Sequence, residues 1–337
     1  MSVRNRLVAA LAVCLVAVGA TTAYLVVARD SQQRAAQTAQ APATAAVAAV
    51  ESVPRIVFRH VAPGQEHGQV ALVPLGDPTG RRAITGMSCD RVYASGTRTL
   101  CLTPSAVASV FETQVHTRGE ATVVAPLSGT PSRARLSRDG KLMATTSFVA
   151  GDSYDVEGFS TRTVIRPTDG AARVEPEAFR LLHQGKVIRP ADRNYWGVTF
   201  AGDGDTFFVT VAFDEQTWLA RGSLRSATVT TQRPDAECPS LSPDGRRVAY
   251  KKLQGRDPGD WRVAVLDLAS GRETVLAEDR SVDDQVEWLD DHRILYAMPR
   301  DDGTPGLLGS DVWVVPADGS GTPQVLIKDA SSPAVVR

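Results

Sequence analysis

Cys238-Pro-Ser-Leu-Ser-Pro-Asp-Gly-Arg-Arg-Val-Ala-Tyr-Lys-Lys252 reads as strand, turn, strand. Leu241 is the apolar residue that ends the first strand. Pro243 presets φ for a turn, Asp244 suits the next position and Gly245 accepts φ > 0, which is the chemistry of a three-residue hairpin with a bulge. Val248-Ala249-Tyr250 restart a strand. Two further strand-like runs follow, Trp261 to Leu268 and Glu273 to Leu276, divided by the turn Ser270-Gly271. Four strands in under fifty residues make one blade-sized antiparallel unit.

The unit recurs on both sides. Toward the C-terminus, Val286 to His292 leads through a turn to Ile294-Leu295-Tyr296, and Val312 to Val315 and Gln324 to Ile327 complete a unit. Toward the N-terminus, units open at Gly197, at Ala134 and at Met87. The one at Ala134 is assigned strands at Leu142 to Thr146, Thr161 to Ile165 and Ala178 to Leu182. Ahead of these stand only three strands, Ile56 to Phe58, Gln69 to Val73 and Arg82 to Thr85. The apolar residues that end the first strands are Tyr93, Leu136, Phe200, Leu241 and Trp288, separated by 43, 64, 41 and 47 residues. That is the period of a four-stranded propeller blade, about 40–50 residues, with one long insertion in the third unit. One more step of 47 from Trp288 lands on Val335, in a terminal strand Pro333-Ala334-Val335-Val336 with no hairpin partner of its own.

Ring closure reconciles the orphan strand with the three-stranded first unit, because an open ring would leave two unpaired sheet edges. The expected fold is all-β: a six-bladed β-propeller of four-stranded blades over residues 55–337, closed by the C-terminal strand. A β-sandwich with a free tail is the alternative, and the regular period argues against it.

Residues 1–29 read as a signal anchor or signal peptide. Arg4 and Arg6 precede Leu7 to Ala28, twenty-two residues without a charge. A cleavable signal needs about 7–15 apolar residues and a membrane span about 20, so the length favours an uncleaved transmembrane helix with the domain outside. Small residues around Gly19-Ala20 and Ala23 keep cleavage, and a secreted product, open. Leu11-Ala12-Val13-Cys14 is a poor lipoprotein box, since Val13 is large and the apolar run continues past Cys14. Residues 30–54, rich in Ala, Gln and Thr, read as a flexible linker, with a continued helix as the alternative. The net charge of −1 predicts no nucleic-acid partner.

Leu241-Ser-Pro-Asp-Gly-Arg-Arg-Val-Ala-Tyr250 resembles the repeat of the TolB-type β-propeller family, with weaker copies at Leu136-Ser-Arg-Asp-Gly140 and Phe200-Ala-Gly-Asp-Gly204. Asn194 to Phe200, Glu237 to Gly245 and Ser281 to Trp288 look like TolB-like proteins of actinobacteria. The resemblance implies the propeller fold and an extracytoplasmic scaffold that binds other envelope proteins. An anchor and tether stand where the periplasmic TolB proteins carry an α/β domain, so it does not transfer the partners of the Tol–Pal system.

The residues point to no catalytic, cofactor or metal site. Asp in the repeated Asp-Gly turns shapes a hairpin through its own backbone more often than it ligates a metal. Glu278-Asp279-Arg280-Ser281-Val282-Asp283-Asp284 could offer oxygens to a hard cation, but it lacks the spacing of a known loop and carries Arg280 as counter-charge. The five histidines, His60, His67, His116, His183 and His292, lie on separate segments without metal-ligand spacing. No Gly-x-Ser-x-Gly elbow and no phosphate-cradling glycine loop occurs. The aspartates are many, and nothing singles out a glycosidase-like pair.

Cys89 and Cys101 flank the turn Ala94-Ser95-Gly96 almost symmetrically, so a hairpin would bring them together and an oxidising exterior would allow a disulfide. Cys89 with Cys238 is the competing pairing. The third unit carries the extra length, in Ala150 to Phe159 and His183 to Trp196. Loops on a rigid ring carry recognition, and Tyr154, Phe159, Arg189, Arg193 and Tyr195 have the character of protein-interface anchors. The alternative is that Trp196 and Tyr195 simply pack between blades, which for Trp196 is at least as good a reading. The expected function is a non-catalytic, monomeric scaffold at the cell membrane whose partner is another envelope protein. The alternative is an enzyme acting on a carbohydrate or lactone-like substrate in the propeller channel, which would require a carboxylate cluster at one mouth of the ring.

Overall fold

A computed structural model describes residues 3–38, 44–106, 110–149, 160–170, 172–300 and 309–337. Helix α1 covers Val3–Thr38, and its segment Ala12–Ser31 is long and apolar enough to cross a membrane. The helix runs nine residues past Arg29, so the first part of the expected flexible linker is helical, as its alanine and glutamine content permits. The last part is not free either. Thr44 bridges to Arg82, the Ala45 N–H donates to the Arg82 carbonyl at 2.9 Å, and α2 (Val47–Glu51) buries Val50. Val50, with Ala45 and Val47 beside it, and one strand-like contact thus dock the linker on the first blade.

The domain opens with β1 (Arg55–His60), β2 (Gln69–Pro74) and β3 (Ala83–Ser88). The second blade is β4 (Arg91–Ser95), β5 (Arg98–Pro104), β6 (Phe111–Thr117) and β7 (Glu120–Leu127). The third is β8 (Thr130–Leu136), β9 (Leu142–Val149) and β10 (Ser160–Pro167). A 3-10 turn at Pro176–Ala178 leads to β11 (Arg180–His183) and β12 (Lys186–Ile188). The fourth blade is β13 (Asn194–Phe200), β14 (Thr206–Phe213), β15 (Gln216–Ser223) and β16 (Thr228–Pro234). The fifth is β17 (Glu237–Leu241), β18 (Arg247–Lys252), β19 (Arg262–Asp267) and β20 (Glu273–Val275). The sixth is β21 (Glu287–Asp290), β22 (Arg293–Arg300), β23 (Gly309–Pro316) and β24 (Gln324–Ile327), and β25 (Ala330–Val336) ends the chain.

These strands form six sheets in a ring, and the C-terminal strand closes it: β25 pairs antiparallel with β1, Ile56 opposite Val335 and His60 opposite Ala330. Arg82 fastens the seam, donating to the Lys328 carbonyl at 2.9 Å and meeting His60 Nδ1 at 2.8 Å. Six apolar clusters hold the ring, one at each blade-to-blade interface. Ile56, Phe58 and Leu295 fill the first–sixth interface, and Trp288, Tyr296 and Val263 the fifth–sixth. Closure therefore buries a continuous core with no exposed seam.

One assignment changes. Ala178 to Leu182 does not complete the third blade, which stops at three strands with an isolated bridge from Ile165 to Val174. β11 instead pairs in parallel with β16, the outer strand of the fourth blade, and with β12 makes that sheet six-stranded. A strand's own pattern does not specify which free edge it will join; here the outer edge of β16 receives it.

The repeated turns are built as their chemistry predicts. Asp139 accepts from the Ser137 hydroxyl and the Lys141 N–H, and Asp244 accepts from the Ser242 hydroxyl and the Arg246 N–H. Gly140 and Gly245 take φ of 70° and 71°. The Ser137 hydroxyl holds the Asp139 carboxyl below the ordinary aspartate range. These aspartates serve their hairpins.

Candidate functional site

The inner strands β25, β4, β8, β13, β17 and β21 surround the channel. At the mouth carrying the Asp-Gly turns, all six contribute to a cavity of about 270 Å³ lined by Tyr93, Arg135, Phe200, Ser242, Glu287 and Arg337, among others. Its charged centre is internally paired. Arg135 and Glu287, 5% and 7% exposed, form an ion pair, and Arg135 also donates to the Val286 carbonyl at 3.2 Å. The Tyr93 hydroxyl donates to Glu287 at 3.3 Å, and the Arg135 guanidinium lies 4.5 Å from the Tyr93 ring centre. Burial pushes the Glu287 carboxyl up while Arg135 pulls it down, and burial beside Glu287 raises the Tyr93 hydroxyl to about 12.

The inner strands also carry a row of bulges. The strand pairings shift register between Trp196 and Thr199 in β13, Glu237 and Ser240 in β17, and Ala334 and Ser331 in β25. Gly197, Cys238 and Ser332 hold φ of 69°, 51° and 53° at these bulges. A Cβ on Gly197 would lie 2.7 Å from the Cys238 Cα, so β13 and β17 approach too closely for any other residue there. Gln285 spans the gap, donating to the Val198 carbonyl at 3.1 Å and the Pro239 carbonyl at 2.9 Å. It ties three blades together, a role that Gln285 by itself does not signal in sequence.

Arg133, Lys251 and Asp283 form a second charged group. Asp283 accepts from Lys251 at 2.8 Å and Arg133 at 3.3 Å, while Asp284 accepts the Ala297 N–H at 2.9 Å. Glu278, 1% exposed, accepts from the Tyr296 hydroxyl and Arg280, both at 2.6 Å. Three carboxylates of the acidic stretch, Glu278, Asp283 and Asp284, thus have partners within the chain. Among the described residues no group of three His, Cys, Asp or Glu side chains is arranged to hold a metal ion.

The predicted anchors fall in three places. Tyr154 and Phe159 lie outside the described residues, as does all of Ala150 to Phe159. Tyr195 is fully buried in the cluster between the third and fourth blades, so it packs the core and cannot be a surface anchor. Trp196, 9% exposed, is buried beside it. Arg193 is half-buried and donates to the carbonyls of Glu177 and Pro190, clamping the return loop. Arg189 is exposed, just after β12.

The feature the sequence reading missed is the β11–β12 hairpin itself. Gln184 and Gly185, with φ of 49° and 76°, form its two-residue turn, and that dipeptide between Leu181-Leu182-His183 and Lys186-Val187-Ile188 was the available signal. β12 is the outer edge of its sheet, with Lys186 and Val187 exposed. Behind the return loop, a cavity of about 250 Å³ is lined by Thr161, Arg162, Glu175, Glu177, Asp192 and Arg193, among others. Both Glu177 carboxylate oxygens are buried, and burial raises this carboxyl from 4.5 to about 7.

Cys89 and Cys101 are disulfide-bonded, with Cα atoms 5.4 Å apart, and Cys238 is a free, buried thiol.

Neither a protein-family model nor a curated relative matches the chain. Solved structures do. TolB from Acinetobacter baumannii superposes with a TM-score of 0.59 at 14% identity, over 84% of this chain and 66% of that one. The nidogen/laminin complex gives 0.57 at 11% identity, over 84% and 98%. A puromycin-hydrolyzing peptidase from Mycobacterium tuberculosis gives 0.51 at 13% identity, over 81% of this chain but 43% of that one. At these identities the likeness establishes the fold alone, a six-bladed β-propeller of the kind seen in TolB.

Proposed function

We propose that this protein is a membrane-tethered, extracytoplasmic propeller without catalysis of its own, acting as a monomer to capture another envelope protein. The observation that carries the reading is the β11–β12 hairpin, which extends the fourth blade to six strands and leaves β12 as an open edge. An edge strand offers unpaired N–H and C=O groups to a partner strand, and the exposed Lys186, Val187 and Arg189 supply side-chain contacts beside it. The apolar helix Ala12–Ser31 supplies the tether. The internal pairing of Arg135, Glu287 and Tyr93 leaves the channel mouth with little to offer a reaction.

The test is proximity crosslinking of the tethered protein in its native envelope, read by mass spectrometry, in the wild type and in Val187→Asp and Arg189→Glu. One dominant envelope protein, captured by the wild type and lost in the variants, is the expected result. Capture that survives both changes removes this surface.

A second reading, an enzyme acting on a carbohydrate or lactone in the channel, is favoured by one observation: a buried carboxyl, Glu287, at a cavity reached from the mouth. Hydrolysis of such a substrate by the wild type, abolished in Glu287→Gln, would favour it over the scaffold.

A further inference from the structure

The cleft between the first and second blades is larger than either cavity described above. It encloses about 720 Å³, within the range of about 300–1,000 Å³ typical of small-molecule pockets. It lies away from the channel and from the β11–β12 hairpin. Toward the ring axis the two blades pack normally, through Val57, Val92, Ala94, Cys101 and Ala334. Farther out they part, and the two walls differ in chemistry.

The first-blade wall sets Val57, Val70, Leu72 and Met87 beside Thr85 and Ser88, with Val47 of α2 closing one end; Val57, Val70 and Leu72 are packed in the core, so Val47 and Met87 are its open aliphatic groups. The second-blade wall is polar, formed by Thr99, Thr103, Glu112, Gln114 and His116. The register explains this: Thr99 faces His116 and Thr103 faces Glu112 across β5 and β6, so these side chains share one face of the sheet. At that position a blade ordinarily presents apolar residues to its neighbour, because unpaired polar groups between sheets are costly.

The polar wall is organised. Gln114 Nε2 donates to Glu112 Oε1 at 2.6 Å, and His116 Nε2 meets Gln114 Oε1 at 2.9 Å. A carboxylate only accepts, which sets the amide orientation and places the imidazole proton on Nε2. Burial holds the His116 ring below its ordinary pKa, so the ring is neutral. The charged lining balances, Glu51 and Glu112 against Arg55 and Arg118. Among the described residues no Phe, Tyr or Trp lines the cleft.

We infer that this cleft binds a neutral, hydroxyl-rich amphiphile, its aliphatic part against Val47 and Met87 and its hydroxyls against Thr99, Glu112 and Gln114. An aliphatic wall without aromatic rings suits an alkyl chain better than a sugar face. A threonine, amide and carboxylate wall suits hydroxyls, which both donate and accept. The balanced lining selects against a strongly charged head.

The test uses the full chain in nanodiscs and an octyl glucoside carrying a diazirine on its alkyl chain. After photolysis, the labelled peptides are identified by mass spectrometry. The expected result is labelling of the peptides containing Val47 and Met87, competed by excess unmodified octyl glucoside. Labelling should fall at least tenfold in Thr99→Trp, which fills the cleft, and severalfold in Gln114→Leu, which removes its central polar group without adding bulk. The second variant keeps the test decisive if the first fails to fold. A diacyl glucolipid with the same photoreactive group, built into the nanodisc, distinguishes a bilayer source from a dissolved one: cleft labelling by both probes assigns a membrane lipid, and labelling by the short probe alone a soluble ligand. No cleft labelling in the wild type, or labelling unchanged in Gln114→Leu, overturns the assignment.

Discussion

The third and fifth blades start alike and end differently. Each opens with an inner strand that leads into a Ser-x-Asp-Gly turn, and the two turns share the same hydrogen bonds from serine and aspartate. Yet the fifth blade completes itself with β20, whereas the third stops at β10 and the chain crosses to the outer edge of the fourth. The turn is specified by contacts among six neighbouring residues. Membership of an outer strand depends on which edge is vacant once the other blades are in place. The difference makes one blade a regular part of the ring and turns the other's leftover chain into an exposed hairpin.

The comparison can be tested by perturbing what the blades share. The largest effect is expected from deleting residues 332–337, which removes most of β25 and reopens the ring. The cooperative melt followed by circular dichroism should be lost, and a truncated chain that melts like the full one would disprove the closure. Next, Gly197→Val introduces a Cβ that would lie 2.7 Å from the Cys238 Cα at a φ of 69°. Its expected cost is about 2–4 kcal/mol in denaturant unfolding. The double change Cys89→Ser, Cys101→Ser should cost about 2–3 kcal/mol by the chain-entropy account of a short loop.

Smaller effects bear on the two turns directly. Asp139→Ala and Asp244→Ala should each cost about 1 kcal/mol, because each removes equivalent hydrogen bonds. Unequal costs would mean that the third blade's missing strand weakens its turn.

The pH dependence distinguishes the junction from the regular blades. The folded-state pKa of Glu177 lies above its ordinary value, raised from 4.5 to about 7 by burial. The folded protein therefore holds a proton that the unfolded chain has released, and the associated stability is full below 4.5 and lost as pH rises through about 7. Glu177→Gln should thus melt higher than the wild type above neutral pH, with the gap closing as pH falls. An equal gap at pH 4 and pH 8 would remove the burial argument.

Much of the fold was legible because it rests on short-range chemistry. The Asp-Gly turns, the spacing of Tyr93, Leu136, Phe200, Leu241 and Trp288, and the orphan strand around Val335 together pointed to six blades and their closure. Cys89 and Cys101 could be paired provisionally because they flank one turn. The anchors were less legible. Tyr195 and Arg193 have the composition of an interface, but β13 is an inner strand buried on both faces from Tyr195 to Phe200, and the carbonyls of Glu177 and Pro190 engage Arg193. Gln184-Gly185 was a readable hairpin signal, obscured by assigning Leu181-Leu182 to the preceding blade.

By itself the sequence determined the repeated unit, its turns, its closure and an apolar N-terminal helix, since each depends on residues close in the chain or on a simple period. Tertiary structure alone decided that β11 joins β16, that Gln285 ties three blades together, and that a polar face of the second blade meets an aliphatic face of the first. Those outcomes depend on which edges and faces meet after the ring forms, and no local pattern encodes that.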